Sequence, residues 1–198
     1  GAYGPHLHPP LERKVLSEDG QHVVVRDEEG NVVRLFKNDP KQSMPEWVEY
    51  PVKCRDDWEQ IVKPRLDAKV PGRHPADEKL DKLVAGYRQR DYPLQLTHGG
   101  VYGFVRQHLM GDERLLYAFY DDPALVHDMM DSYTDMVLAL WGRMVTQVDF
   151  DLIECWEDMA SKNGCLISPH TFREFMTPNY RRIAAFAQVH GIRIVLVD

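Results

Sequence analysis

Residues 149–198 limit what this chain can fold into more than any other stretch. Two short apolar runs, Phe150 to Trp156 and Ile192 to Val197, each empty into carboxylates: Glu157-Asp158 after the first and Asp198 after the second. Short apolar runs bounded by charge read as buried strands of a parallel sheet. Between them Ser168 can cap free backbone amides, Pro169 suits a first helical position, and Phe172, Phe175, Met176, Tyr180 and Ile183 recur at helical spacing up to Gly191. Pro178 predicts a kink or a second helix start inside that run. Strand, acid, helix, strand, acid is a βαβ unit with its acids on one rim, where α/β folds place reactive groups.

Upstream, a second strand-to-loop junction has the same design. Leu94 to Thr97 reads as a strand that ends in His98-Gly99-Gly100-Val101-Tyr102-Gly103. Glycines there let backbone amides approach a phosphate or carboxylate, although the spacing G-G-x-x-G is not the dinucleotide fingerprint. A histidine beside those glycines is placed either to meet a ligand or to sit satisfied in the core. Catalysis is therefore expected of His98, Glu157, Asp158 and Asp198, and substrate contact of Gly99, Gly100, Tyr102 and Trp156. Clustered carboxylates cannot all ionise freely, so one should carry a raised pKa or share a cation. A set that includes His98 and Cys155 is also a candidate for zinc.

The other elements support a parallel α/β architecture. Helices are predicted around 55–62, around 80–87, over Asp112 to Tyr120, and from Asp122-Pro123 through Met144 with an apolar stripe. Near the start, His22 to Arg26 and Val32 to Phe36 are β-branched runs around Glu28-Glu29-Gly30-Asn31, a hairpin read as a structural flap. His6 and His8 in the proline-rich start are read as solvated rather than as metal ligands.

The segments WEDMASKNGCLISPHTFREFMTPNYRR, YPVKCRDDWEQIVKPRL, GGVYGFVRQHLMGDERLLYAFYDDPALVHDMMD and IVLVD resemble the uroporphyrinogen decarboxylase superfamily, which includes corrinoid-linked methyltransferases. The likeness runs from about Glu49 onward. It implies a partial (β/α)₈ TIM-type barrel over 49–198, with 1–48 as an N-terminal extension carrying the hairpin, all in one domain. It also implies an enzyme. Acids at 157 and 158 disfavour a polyanionic tetrapyrrole, and the arginine-bearing segment expected early in a decarboxylase is not visible. Methyl transfer from a corrinoid to a zinc-bound thiol is therefore placed ahead of uroporphyrinogen decarboxylation, with a non-catalytic half-barrel or binding module as the third reading. The resemblance puts the zinc ligands of the methyltransferases beyond Asp198.

Composition narrows the partners. With 24 Lys+Arg against 31 Asp+Glu the net charge is −7, without the footprint of a nucleic-acid binder. No apolar run is long enough to span a membrane. Three cysteines without a CxxC pair fit a reducing cytoplasm. At 198 residues the chain is short for a (β/α)₈ barrel, so a homo-oligomer or the remainder of a longer chain is expected to complete it.

Overall fold

The computed structural model describes residues 6–39 and 44–198. Two sheets dominate it. The first is antiparallel, in the order β1-β2-β3-β4, with β1 Lys14–Glu18, β2 His22–Arg26, β3 Val32–Phe36 and β4 Glu46–Glu49. The expected hairpin is its centre, with Val24 opposite Arg34 and Val25 opposite Val33. Strands β1 and β4 are exposed along their whole length, and no apolar alternation advertised them. The hairpin turn is an Asx turn: Asp27 Oδ1 accepts from the amides of Glu29 (3.0 Å) and Asn31 (2.8 Å), and Gly30 supplies the positive φ of 89°.

The helices follow their sequence signals. α1 (55–65) and α2 (Asp77–Arg88) lead to β5 (Gln95–His98). α3 (101–110), π-helical over Val105–Met110, is followed by α4 (Asp112–Asp121) and α5 (Pro123–Val145). Asp122 caps α5 by accepting from the Leu125 amide at 3.1 Å, with Pro123 in the first turn. Its stripe (Val126, Met130, Tyr133, Val137, Leu140, Met144) is buried, and the methionines fill the core. α6 (169–189) starts at the Ser168 cap and takes a π turn over Phe172–Met176 just before Pro178, the place where a kink was expected. β6 (Leu152–Cys155) precedes α6, β9 (Ile194–Val197) follows it, and a small hairpin, β7 (Ala160–Ser161) with β8 (Gly164–Cys165), lies between β6 and α6.

The second sheet is parallel, in the order β5-β6-β9, with His98 level with Cys155 and Cys155 level with Val197. The three predicted strands therefore do lie side by side with their C-terminal ends at one rim. The barrel expectation does not hold. Three parallel strands close no ring, and the four other long strands form a separate antiparallel sheet. Two features of the chain explain this. Residues 14–36 and 46–49 are spent on antiparallel pairing, and between β5 and β6 three helices follow one another without an intervening strand. A closed barrel needs a strand from each helix-containing crossover and a consistent tilt around the ring.

Among the described residues, only one face of the parallel sheet is covered. Leu96, Ile153 and Cys155 point into the helical core, whereas Gln95, Thr97, Ile194 and Leu196 on the other face are exposed. A parallel sheet ordinarily buries both faces. Among the described residues, no helix is long and apolar enough to cross a membrane.

Candidate active site

The rim is assembled by carboxylates that reach across to backbone amides of neighbouring strands. Asp198, just past β9, accepts from the amides of Glu157 (2.5 Å) and Asp158 (3.2 Å) on the loop after β6. Glu157 in turn accepts from the amides of Val101 and Gly103 (both 2.6 Å) in the first turn of α3, after β5. The Tyr180 hydroxyl of α6 donates to the same carboxylate. All three strand ends and two helices are thus fastened through Glu157, which is 0% exposed.

This brace explains the glycines. The amides that the sequence offers to an anionic ligand receive the chain's own carboxylate, at a helix N-terminus that favours negative charge. A Cβ at Gly100 or at Gly103 would overlap the Trp156 carbonyl oxygen, and Gly100 also takes the left-handed φ of 73°. The remaining amides are engaged too, Gly99 donating to the Tyr133 hydroxyl (3.1 Å) and Gly100 to His98 Nδ1 (3.0 Å). Tyr102, expected to touch substrate, is in the core at 1% exposed.

His98 is the satisfied core histidine of the two readings open to it. Because its Nδ1 accepts from Gly100, the ring proton sits on Nε2, which points at Cys155 Sγ 3.0 Å away. Burial lowers its pKa to about 4, with His6 contributing, so the imidazole is neutral at pH 7. Burial, reinforced by Glu157, Asp198 and Glu154, pushes the Cys155 thiol up to about 12. A neutral imidazole against an un-ionised thiol is a packing pair, not an activated nucleophile. Glu157 is the carboxyl with the raised pKa. Burial lifts it to about 7 against the lowering effect of the α3 amides, and nearby Asp198 adds to the rise.

What the rim presents outward is the next layer. Asp158 takes a left-handed φ of 50° in the bracing loop, its side chain 61% exposed. It accepts from Gln107 Nε2 at 2.9 Å and lies 3.6 Å from Arg106, which also pairs with Asp112 at 3.2 Å. Trp156, two residues earlier, is 52% exposed. The site residues therefore divide: Glu157, His98, the glycines and, through its Oδ1, Asp198 build the rim, while Asp158 and Trp156 face solvent. Arg106, Gln107 and Tyr180 were missed, since helical spacing assigns them only to a polar face and an apolar stripe.

Among the described residues, no zinc ligand set forms at this rim. Cys155 holds its proton and faces His98, and both oxygens of Glu157 are spent on amides. Among the described residues, three side chains that can share an ion meet elsewhere, at His6, Glu29 and His108. The reading of His6 as solvated is thereby corrected, since it bonds a carboxylate. His8 Nε2 bonds the Pro71 carbonyl at 3.0 Å.

Searches of protein-family models, curated proteins and solved structures return no significant match to this chain.

Proposed function

We propose that the rim is the substrate-binding face of a uroporphyrinogen decarboxylase-superfamily enzyme, and that its reaction is corrinoid-linked methyl transfer. The observation that carries this reading is the exposure of Trp156 and Asp158, two residues apart on a loop braced at the C-terminal ends of three parallel strands. Ligands of α/β sheets bind at such ends. An exposed indole offers a flat apolar surface to a macrocycle. Asp158, two residues on and also exposed, would take the proton of an incoming thiol. A methylcorrinoid bound there would supply the methyl group: a thiolate would attack the methyl carbon, forming the C–S bond as the Co–C bond broke with its electron pair left on cobalt. No rim residue is assigned to metal in that step.

Charge supports methyl transfer over tetrapyrrole decarboxylation. Asp158 and Asp198 lie exposed at the strand ends, and Arg106, the cation at Asp158, is already shared with Asp112. A substrate bearing several carboxylates would meet repulsion there. The test is to incubate the protein with methylcobalamin and a thiol and follow loss of the Co–C chromophore, with uroporphyrinogen in parallel. Thiol-dependent demethylation that falls in Asp158→Asn supports the reading. Decarboxylation of uroporphyrinogen, or inactivity toward both, overturns it in favour of the decarboxylase or the binding module.

A further inference from the structure

The geometry points to a divalent-cation site, of the class that holds zinc, formed by His6, Glu29 and His108. The three residues come from distant parts of the chain: the segment before β1, the β2–β3 turn and the π-helical part of α3. His6 Nδ1 lies 2.9 Å from Glu29 Oε1 and His108 Nδ1 lies 2.7 Å from Glu29 Oε2, so two imidazoles converge on the two oxygens of one carboxylate. One ligand atom from each residue falls within 4.8 Å of the others. A tetrahedral zinc with bonds of about 2.0–2.2 Å holds its ligand atoms roughly 3.3–3.5 Å apart. The two imidazole–carboxylate contacts reach that spacing by lengthening by roughly 0.5–0.7 Å.

Donor chemistry and placement agree with such an ion. Two imidazole nitrogens and a carboxylate oxygen are borderline ligands suited to zinc, and three protein ligands leave a position for water. The side chains are 32%, 18% and 24% exposed for His6, Glu29 and His108, so the centre is shielded yet reachable by solvent. The rings are held by their surroundings. His6 meets Phe104 edge-on at 5.0 Å, and the Phe104 ring stacks on Tyr133 at 3.7 Å. Single π turns inside helices recur at functional sites, and His108 lies on one. A cation here would pin the antiparallel sheet, through Glu29, to the helical body. The inference is independent of the reaction at the rim.

Without an ion the same three groups form a hydrogen-bonded clamp, so the experiment must separate the two. Protein stripped with a chelator is titrated with Zn²⁺ by calorimetry and with Co²⁺ by visible absorption, alongside Glu29→Gln, His108→Ala and two controls. His170→Ala removes the exposed His170–Glu174 pair, and the double change Cys54→Ser, Cys165→Ser removes the exposed thiols. The expected result is one equivalent of Zn²⁺ bound, with the intense bands of four-coordinate Co²⁺, both unchanged in the controls. Glu29→Gln and His108→Ala should weaken binding by more than the roughly 10–100-fold that loss of an outer-shell partner costs. Glu29→Gln retains a hydrogen-bonding side chain of the same shape and decides the matter if His108→Ala fails to fold by circular dichroism. No saturable Zn²⁺ binding in the wild type, or binding undiminished in folded Glu29→Gln, overturns the proposal and leaves the clamp.

Discussion

Replacing Glu157 by glutamine keeps the shape of a fully buried side chain and removes its titration. The folded pKa of Glu157 is raised from 4.5 to about 7, so between those values the folded state binds more protons than the unfolded state. Stability from this group is therefore greatest below pH 4.5 and is lost as pH rises through 7. At about 1.36 kcal/mol per tenfold change in proton affinity, the whole effect is roughly 3 kcal/mol, of which about 2.5 kcal/mol falls between pH 5 and pH 8. His98 acts in the opposite sense. Its folded pKa of about 4, below the ordinary 6.5, removes stability as pH falls below 6.5, by about 2 kcal/mol at pH 5. The wild-type profile should thus be nearly flat from these two groups, and only the difference between proteins isolates Glu157. Glutamine also presents an NH₂ where the carboxylate accepted two amides, a pH-independent cost of about 1–3 kcal/mol. Urea unfolding of wild type and Glu157→Gln at pH 5 and pH 8 should show the advantage of wild type shrinking by about 2.5 kcal/mol at the higher pH. A difference that does not change with pH would refute the argument that burial outweighs the amides around this carboxyl.

Other consequences follow from the same packing. Gly103→Ala drives a methyl into the Trp156 carbonyl and should destabilise by roughly 1–3 kcal/mol in urea unfolding, whereas Gly142→Ala, with open space at its Cβ, should not destabilise. Native protein should label at Cys54 and Cys165 with a thiol reagent while Cys155 stays unmodified until urea is added, as intact mass spectrometry would report. The open face of the parallel sheet, with Ile194 and Leu196 about half exposed, should drive self-association and bind a hydrophobic dye. Ile194→Lys with Leu196→Lys should reduce both, and light scattering showing the same association in wild type and variant would contradict this.

Much of the fold is legible where one local signal decides. Asp122-Pro123 and Ser168-Pro169 mark helix starts through their own caps, and the apolar runs before His98, Glu157 and Asp198 give three parallel strands. The barrel did not follow, because it rested on the resemblance: the helices of 112–144 were legible without a strand between them, but strand pairing is non-local, and the separate antiparallel sheet of 14–36 and 46–49 was not. Strands β1 and β4 escaped because their residues are exposed on both faces and carry no period of two. At the site, the acids and the glycine loop were found as separate features. That Glu157 fills the glycine loop depends on α3 and the β6 loop meeting in space. Glu29 was hidden for a related reason: a glutamate in a hairpin turn reads as solvated until the turn is seen docked between His6 and His108.

The claim that the Trp156–Asp158 loop receives a corrinoid is tested most directly by equilibrium dialysis with methylcobalamin, comparing wild type with Trp156→Ala and Asp158→Asn. Both side chains are exposed, so neither change should unfold the protein. Wild type should bind saturably and one-to-one, and Trp156→Ala about tenfold or more weakly, the loss of roughly one stacking contact. Binding of equal strength in all three proteins, or none in any, would contradict it.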